Sequence, residues 1–165
     1  MKKGSRGQAL VEFALVVPVL TVLLVALFDM GRVVWASDSV SHAASEAARF
    51  AIVNGGSSAT ACPVGPPGPD ANIPVASASC PYPSPSKQSI RNAATAGAMG
   101  VGGTVTVTVC YGAGCSGNTD SAGATNARGT PMTVRVQASL GLVTGSFIGQ
   151  PNYTVSATTT MVVNN

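Results

Sequence analysis

The apolar residues divide the chain into two unequal parts. Six of the eight leucines fall within the first 30 residues, and Ala9 to Phe28 is a 20-residue run that only one charge, Glu12, interrupts. An α-helix needs about 20 residues to cross a bilayer, so this run predicts a transmembrane helix. Pro18 lies inside the run, where a membrane helix tolerates proline better than a soluble helix does.

The helical pattern continues beyond this membrane-length run. Small apolar residues recur every three or four positions over residues 40–51, which is typical of one buried helix face. The sequence NGG at 54–56 is a helix stop signal. We therefore expect one helix over residues 8–53, about 69 Å long at 1.5 Å per residue.

Three later segments alternate apolar and polar residues: TVTVTVCY at 104–111, MTVRVQASL at 132–140 and YTVSATTTMVV at 153–163. A period of two is typical of strands with one buried and one solvated face. Residues 87–99 instead keep helical spacing. The pattern thus predicts an α+β fold. Its long N-terminal transmembrane helix continues into an exported domain with a short second helix and a three-stranded antiparallel sheet, whose dry face receives a helix.

Residues 55–88 are rich in proline, glycine and serine and show neither periodicity, which predicts a long loop. Cys62 and Cys80 lie in this loop, and Cys110 and Cys115 follow in the sequence CYGAGC. An even number of cysteines in a short exported chain favours disulfides. Four cysteines permit three connectivities, and proximity in sequence favours Cys62 with Cys80 and Cys110 with Cys115.

Charge is scarce and concentrated at the N-terminus. Only 9% of residues are charged, and the net charge of +3 includes Lys2, Lys3 and Arg6 ahead of the apolar run. These residues predict a cytoplasmic N-terminus and an exported remainder. A cleaved secretory signal ending near 34–36 is the alternative, but the run is long for an h-region and Glu12 is badly placed within one. Without a long basic run, nucleic acid is not an implied partner.

Candidate chemistry is thin. His42 is the sole histidine, and its neighbours Ser41 and Asp38 lie on the same predicted helix, which does not give the geometry of a catalytic triad. The chain has no C-x-x-C pair for a metal. We expect neither an enzyme nor a cofactor, and we expect the acidic residues outside the membrane run, including Asp29 and Asp120, to be solvated.

The run RGQALVEFALVVPVL, then DMGR at 29–32 and AASEAARFA at 43–51, resembles the TadE/TadG-like proteins of tight-adherence (Flp) pilus assembly over roughly residues 6–53. Gly7 followed by QALVEF resembles a prepilin-type motif. The resemblance implies that a prepilin peptidase cuts between Gly7 and Gln8. Glu12 then becomes the fifth residue of the mature chain, and a role in subunit assembly is implied for it.

With this resemblance, four segments are expected: a cytoplasmic leader (1–7), the transmembrane and extended helix (8–54), the disulfide loop (55–88) and the exported, pilin-like α/β domain (89–165). The implied function is that of a minor pilin or pseudopilin in the cytoplasmic membrane, spanning it once and entering the pilus or supporting its assembly. The implied partners are prepilin peptidase, other pilins and pilus-assembly proteins. A membrane-anchored, extracytoplasmic binding domain unrelated to filaments is the alternative.

Overall fold

The computed structural model describes residues 5–54, 87–147 and 149–164, with side chains from Gly7 onward. In chain order the elements are α1 (Ser5–Val53), α2 (Gln88–Gly97), β1 (Thr104–Tyr111), β2 (Pro131–Gly141), α3 (Val143–Phe147) and β3 (Asn152–Val162). The fold is α+β, as the sequence patterns predict: a long apolar helix, a short second helix and three strands.

The three strands form one antiparallel sheet in the order β1-β2-β3. Val136 at the centre of β2 lies opposite Val107 of β1 and Ala157 of β3. Alternate residues of β2 are buried and the residues between them are more exposed, which confirms the predicted dry and wet faces. The dry face is therefore a continuous surface of apolar side chains available to a helix.

The second half of α1 covers this dry face with very small side chains. The fully buried residues of α1 are Ala36, Val40, Ala43, Ala44, Ala47, Ala48 and Ala51. Alanine allows the helix backbone to approach its neighbours closely, and α2 lies so near that a Cβ on Gly97 would sit 3.1 Å from the Cα of Ala43. The second half of α1 thus forms one side of the domain core, whereas the first half of the same helix is apolar and exposed.

The element boundaries follow the sequence patterns with two differences. Helix α1 begins at Ser5, three residues before the predicted start, and it ends at Val53, where the Asn54 side-chain amide donates to the carbonyl of Phe50 at 2.8 Å. Helix α3 was not predicted. Its five residues are too few to show a helical period, and its central Gly145 lies so close to Gln150 that a Cβ would clash with the backbone carbonyl oxygen.

A disulfide joins Cys110, at the end of β1, to Cys115, with the two Cα atoms 5.8 Å apart. The connection after β1 is also held by Asp120, whose carboxylate accepts the Tyr111 amide at 2.8 Å and pairs with Lys87 Nζ at 2.7 Å. The expectation that Asp120 is merely solvated is therefore wrong. Cys62, Cys80 and nearly all of the predicted 55–88 loop lie outside the described residues.

Tyr111 is completely buried, and its hydroxyl has no hydrogen-bond partner among the residues that the structure describes. Burial raises the pKa of Tyr111, and the nearby Asp120 carboxylate raises it further. An unsatisfied buried polar group costs about 1–3 kcal/mol, so Tyr111→Phe should increase the free energy of unfolding by about 1 kcal/mol at neutral pH. Denaturant titration of the two proteins measures this difference.

The same substitution should change the pH dependence of stability. In the unfolded chain the Tyr111 hydroxyl ionises near pH 10, because the ordinary pKa of tyrosine is about 10. In the folded chain the same hydroxyl stays neutral at that pH. The native protein should therefore lose stability progressively above that pH, and the Tyr111→Phe protein should lose less. Two results would contradict the conclusion that the Tyr111 hydroxyl is buried without a partner among the described residues. One is an equal loss of unfolding free energy above pH 10 in the two proteins, and the other is a Tyr111→Phe protein that is less stable than the native one at neutral pH.

Candidate assembly and membrane surface

The first half of α1 extends beyond the domain with its apolar side chains exposed. Nearly every side chain over residues 7–28 is exposed, among them Leu10, Phe13, Leu20 and Leu27. By length and composition α1 is the one helix of the described chain that could cross a membrane, and none of its most apolar 18-residue window is buried. This surface has to be covered by lipid or by other helices, because water solvates it poorly.

Glu12 is the one charged residue between Arg6 and Asp29, and it lies on this exposed surface. The Gln8 side-chain amide donates to Glu12 Oε1 at 3.3 Å, one helical turn away. A Cβ added at Gly7 would meet nothing within 4 Å, so the chain around the predicted cleavage position is open on the helix surface. The structure thus brings Gly7, Gln8 and Glu12 together on the first two described turns of α1.

A buried carboxylate marks the other end of the apolar run. Asp29 is 5% exposed. Its Oδ2 accepts two hydrogen bonds from Thr144 in α3, from the backbone amide at 2.7 Å and from the hydroxyl at 2.6 Å. Arg32 Nη1 lies 3.8 Å from Asp29 Oδ1 and donates to the carbonyl of Gly141 at 3.4 Å. We call this set of contacts the Asp29–Thr144 junction.

The sequence-based expectation that Asp29 is solvated is wrong. Its partner lies 115 residues away in the chain, so no local pattern could identify it. The junction fixes the α+β domain directly beside the end of the apolar run.

The residues considered for catalysis do not form a triad. His42 Nε2 lies 3.8 Å from Asp38 Oδ2, with both side chains exposed, while the Ser41 hydroxyl donates to the Ser37 carbonyl at 2.9 Å. Ser41 thus bonds to its own helix and does not donate to His42. Within residues 5–54, 87–147 and 149–164, no three of the His, Cys, Asp and Glu side chains are grouped so that they could hold a metal ion.

The fold and this surface define a class of protein: a small α+β domain packed on the second half of a helix whose first half is apolar, exposed and long enough to cross a membrane. Residues 7–49 match the model of the family described as TadE-like protein. The match covers the exposed half of α1 and most of its packed half, and it confirms the resemblance seen in the sequence. No curated protein and no solved structure matches the chain.

Proposed function

We propose that the protein is a minor pilin or pseudopilin that takes part in assembly of a tight-adherence pilus, with a structural role and not a catalytic one. The observation that carries this proposal is the exposed apolar half of α1, with a single carboxylate one turn after the Gly7–Gln8 bond. The TadE-like match spans this segment and supports the same role.

The uncovered helix is suited to exchange between two environments. In the bilayer its side chains contact lipid, and in an assembly they would contact the helices of neighbouring subunits. Lipid tails are as apolar as leucine, so moving the helix from the bilayer into an assembly of helices releases little hydrophobic free energy. Polar contacts then have to set the register between helices, and Glu12 is the charged group that the apolar surface offers.

Cleavage after Gly7 would supply a positively charged partner for Glu12. Among the described residues, the hydrogen-bond partner of Glu12 is a neutral amide, that of Gln8, at 3.3 Å. A cut creates a positively charged amine at Gln8, at about the same depth in the membrane. Glu12 of one subunit pairing with the Gln8 amine of a neighbour would lower the cost of burying both charges.

The proposed topology places Lys2, Lys3 and Arg6 in the cytoplasm and the sheet outside. The Cys110–Cys115 disulfide supports this orientation, because disulfides persist in oxidising compartments and are rare in the cytoplasm. Prepilin peptidase and other pilins are the proposed partners. The protein would remain in the cytoplasmic membrane until it is taken into, or supports, the growing filament.

Processing is tested by the mass of the protein purified from cells with and without prepilin peptidase. We expect a mature chain that begins at Gln8 only when the peptidase is present, because residues 1–7 form the leader. Gly7→Val should block the cut while the protein still inserts into the membrane, since the apolar run is unchanged. An intact Met1 terminus in cells with active peptidase would contradict the proposal and leave a membrane-anchored binding domain as the better explanation.

A further inference from the structure

Two connections of the domain lie at the same end of the sheet, next to the end of the apolar run. The β2–β3 connection carries α3, which the Asp29–Thr144 junction holds beside α1. The α2–β1 connection leads into Thr104, which is paired with Ser139 near the same end of β2. Within it, Gly100 lies against α1, where a Cβ would sit 3.2 Å from Cη2 of Trp35.

Both connections present large apolar side chains to the outside. Val143 and Phe147, four residues apart in α3, are 54% and 78% exposed, and Met99 in the other connection is 76% exposed. Trp35 is half exposed beside them. We call these four residues, Trp35, Met99, Val143 and Phe147, the apolar foot of the domain. Its side chains continue outward from α1, whose own Phe28 and Met30 are exposed in the adjoining turns.

The four residues of the foot and the two connections that carry them are uncharged. Residues 92–119 and 136–165 contain no Asp, Glu, Lys or Arg, so neither connection contributes one. On α1 at this level, Asp29 and Arg32 lie near each other and bond to α3 and to the end of β2. Asp38, one turn after Trp35 on the side away from the apolar run, is exposed and lies 3.8 Å from His42 Nε2. Lys87, Asp120 and Arg128 lie with the 112–130 connection, towards the opposite end of the sheet. The charged side chains at this end of the domain thus belong to α1, and the two connections that carry Met99, Val143 and Phe147 are uncharged.

We propose that the apolar foot inserts into the interfacial layer of the lipid bilayer, so that the domain rests on the membrane and is not held away from it by α1. The occupant of this surface is lipid at the boundary of headgroups and acyl chains, where aromatic side chains are favoured. The continuity of the foot with the apolar run and the absence of charged residues from both connections carry the argument. The inference requires only that α1 crosses a bilayer, and it holds whether or not the protein enters a filament.

Fluorescence quenching in vesicles tests this inference, because Trp35 is the sole tryptophan. The full chain with Trp35→Phe and Phe147→Trp is reconstituted in phosphatidylcholine–phosphatidylglycerol vesicles that contain brominated lipids. We expect strong quenching of the new tryptophan, greater when bromine lies close to the headgroup than when it lies near the bilayer centre, and protection from aqueous acrylamide. Met99→Trp in the same background should behave alike, which provides an independent reporter on the second connection.

Val162→Trp in the same Trp35→Phe background is the matched control. Val162 is 51% exposed at the opposite end of β3, about 30 Å away along a strand that rises about 3.3 Å per residue. It should be accessible to acrylamide and insensitive to brominated lipid. Acrylamide access at both 147 and 99 equal to that at 162 would overturn the inference. A different result would also overturn it: tryptophans at 147 and 99 that brominated lipid does not quench, but that become more protected from acrylamide as the protein density in the vesicles rises. That result would show that a second copy of the chain covers the foot.

Discussion

Glu12→Gln should leave membrane insertion and processing intact and should abolish association between subunits. The substitution preserves shape and removes the charge, so insertion of the apolar run into the bilayer should not become harder. The Gln8 amine of the neighbouring subunit would then be buried without a carboxylate. Removing one partner of a buried ion pair costs about 3–5 kcal/mol, which is about a hundredfold or more in an association constant.

The measurement is the co-purification of two differently tagged copies from membranes, together with the amount of protein in sheared surface fibres. N-terminal mass determination on the same samples separates an assembly defect from a processing defect. Glu12→Ala should show the same assembly loss, since it removes the same charge. Both variants should still carry the mature Gln8 terminus.

Gln8→Ala is the matched control. It removes the 3.3 Å side-chain contact to Glu12 but retains both the Glu12 carboxylate and the amine that cleavage creates at residue 8. We expect near-normal assembly, because the proposed pairing uses the backbone amine and not the Gln8 amide. Normal fibre content in Glu12→Gln, or equal losses in Gln8→Ala and Glu12→Gln, would contradict the pairing.

Sequence periodicity predicted those elements that are long enough to repeat a pattern. The period of two over 132–140 gave β2 nearly to its ends, and the alanine stripe over 40–51 identified the face of α1 that covers the sheet. Both patterns reflect burial of one face, so the sequence alone carries them. The TadE-like match over residues 7–49 agrees with the part of the chain whose local motifs were specific.

The features that sequence missed depend on distant contacts. Asp29 was expected to be solvated and is buried, because its partner Thr144 lies on a five-residue helix that shows no periodicity. Asp120 was missed for the same reason, because its carboxylate pairs with Lys87 and accepts a hydrogen bond from the Tyr111 amide at the end of β1. A lone carboxylate has no local pattern that distinguishes a solvated position from a paired one. The apolar foot was missed for the same reason, because the fold alone brings its residues together.

The glycine cluster ahead of β1 is a further example, and it gives the largest expected effect on stability. From sequence, Gly97, Gly100, Gly102 and Gly103 indicate only a flexible turn. In the structure Gly103 lies against the backbone of β2: an added Cβ would clash with the carbonyl oxygen of Ser139 and would sit 3.0 Å from its carbonyl carbon. No side-chain rotation relieves such a clash, so β1 and β2 would have to separate at this end of the sheet.

Gly103→Ala should therefore lower the free energy of unfolding by about 3 kcal/mol, the upper part of the range for overpacked sites. That is a large share of the total for a domain whose stability is about 5–15 kcal/mol. The change is measured by urea titration of the full chain in detergent micelles, with Trp35 fluorescence as the signal. Trp35 is a suitable reporter because its ring lies against Gly100, which belongs to the same α2–β1 connection as Gly103.

Gly141→Ala separates the clash from the general effect of replacing glycine. Gly141 ends β2 near the same end of the sheet, its backbone is not in the left-handed region, and a Cβ there would meet nothing within 4 Å. The substitution should be neutral or stabilise by about 0.4–1 kcal/mol through the unfolded chain. If the two alanine variants unfold at the same urea concentration, the backbone at Gly103 does not approach Ser139 closely. A loss confined to Gly103→Ala instead means that a glycine is required where β1 begins, because β2 leaves no room for a side chain.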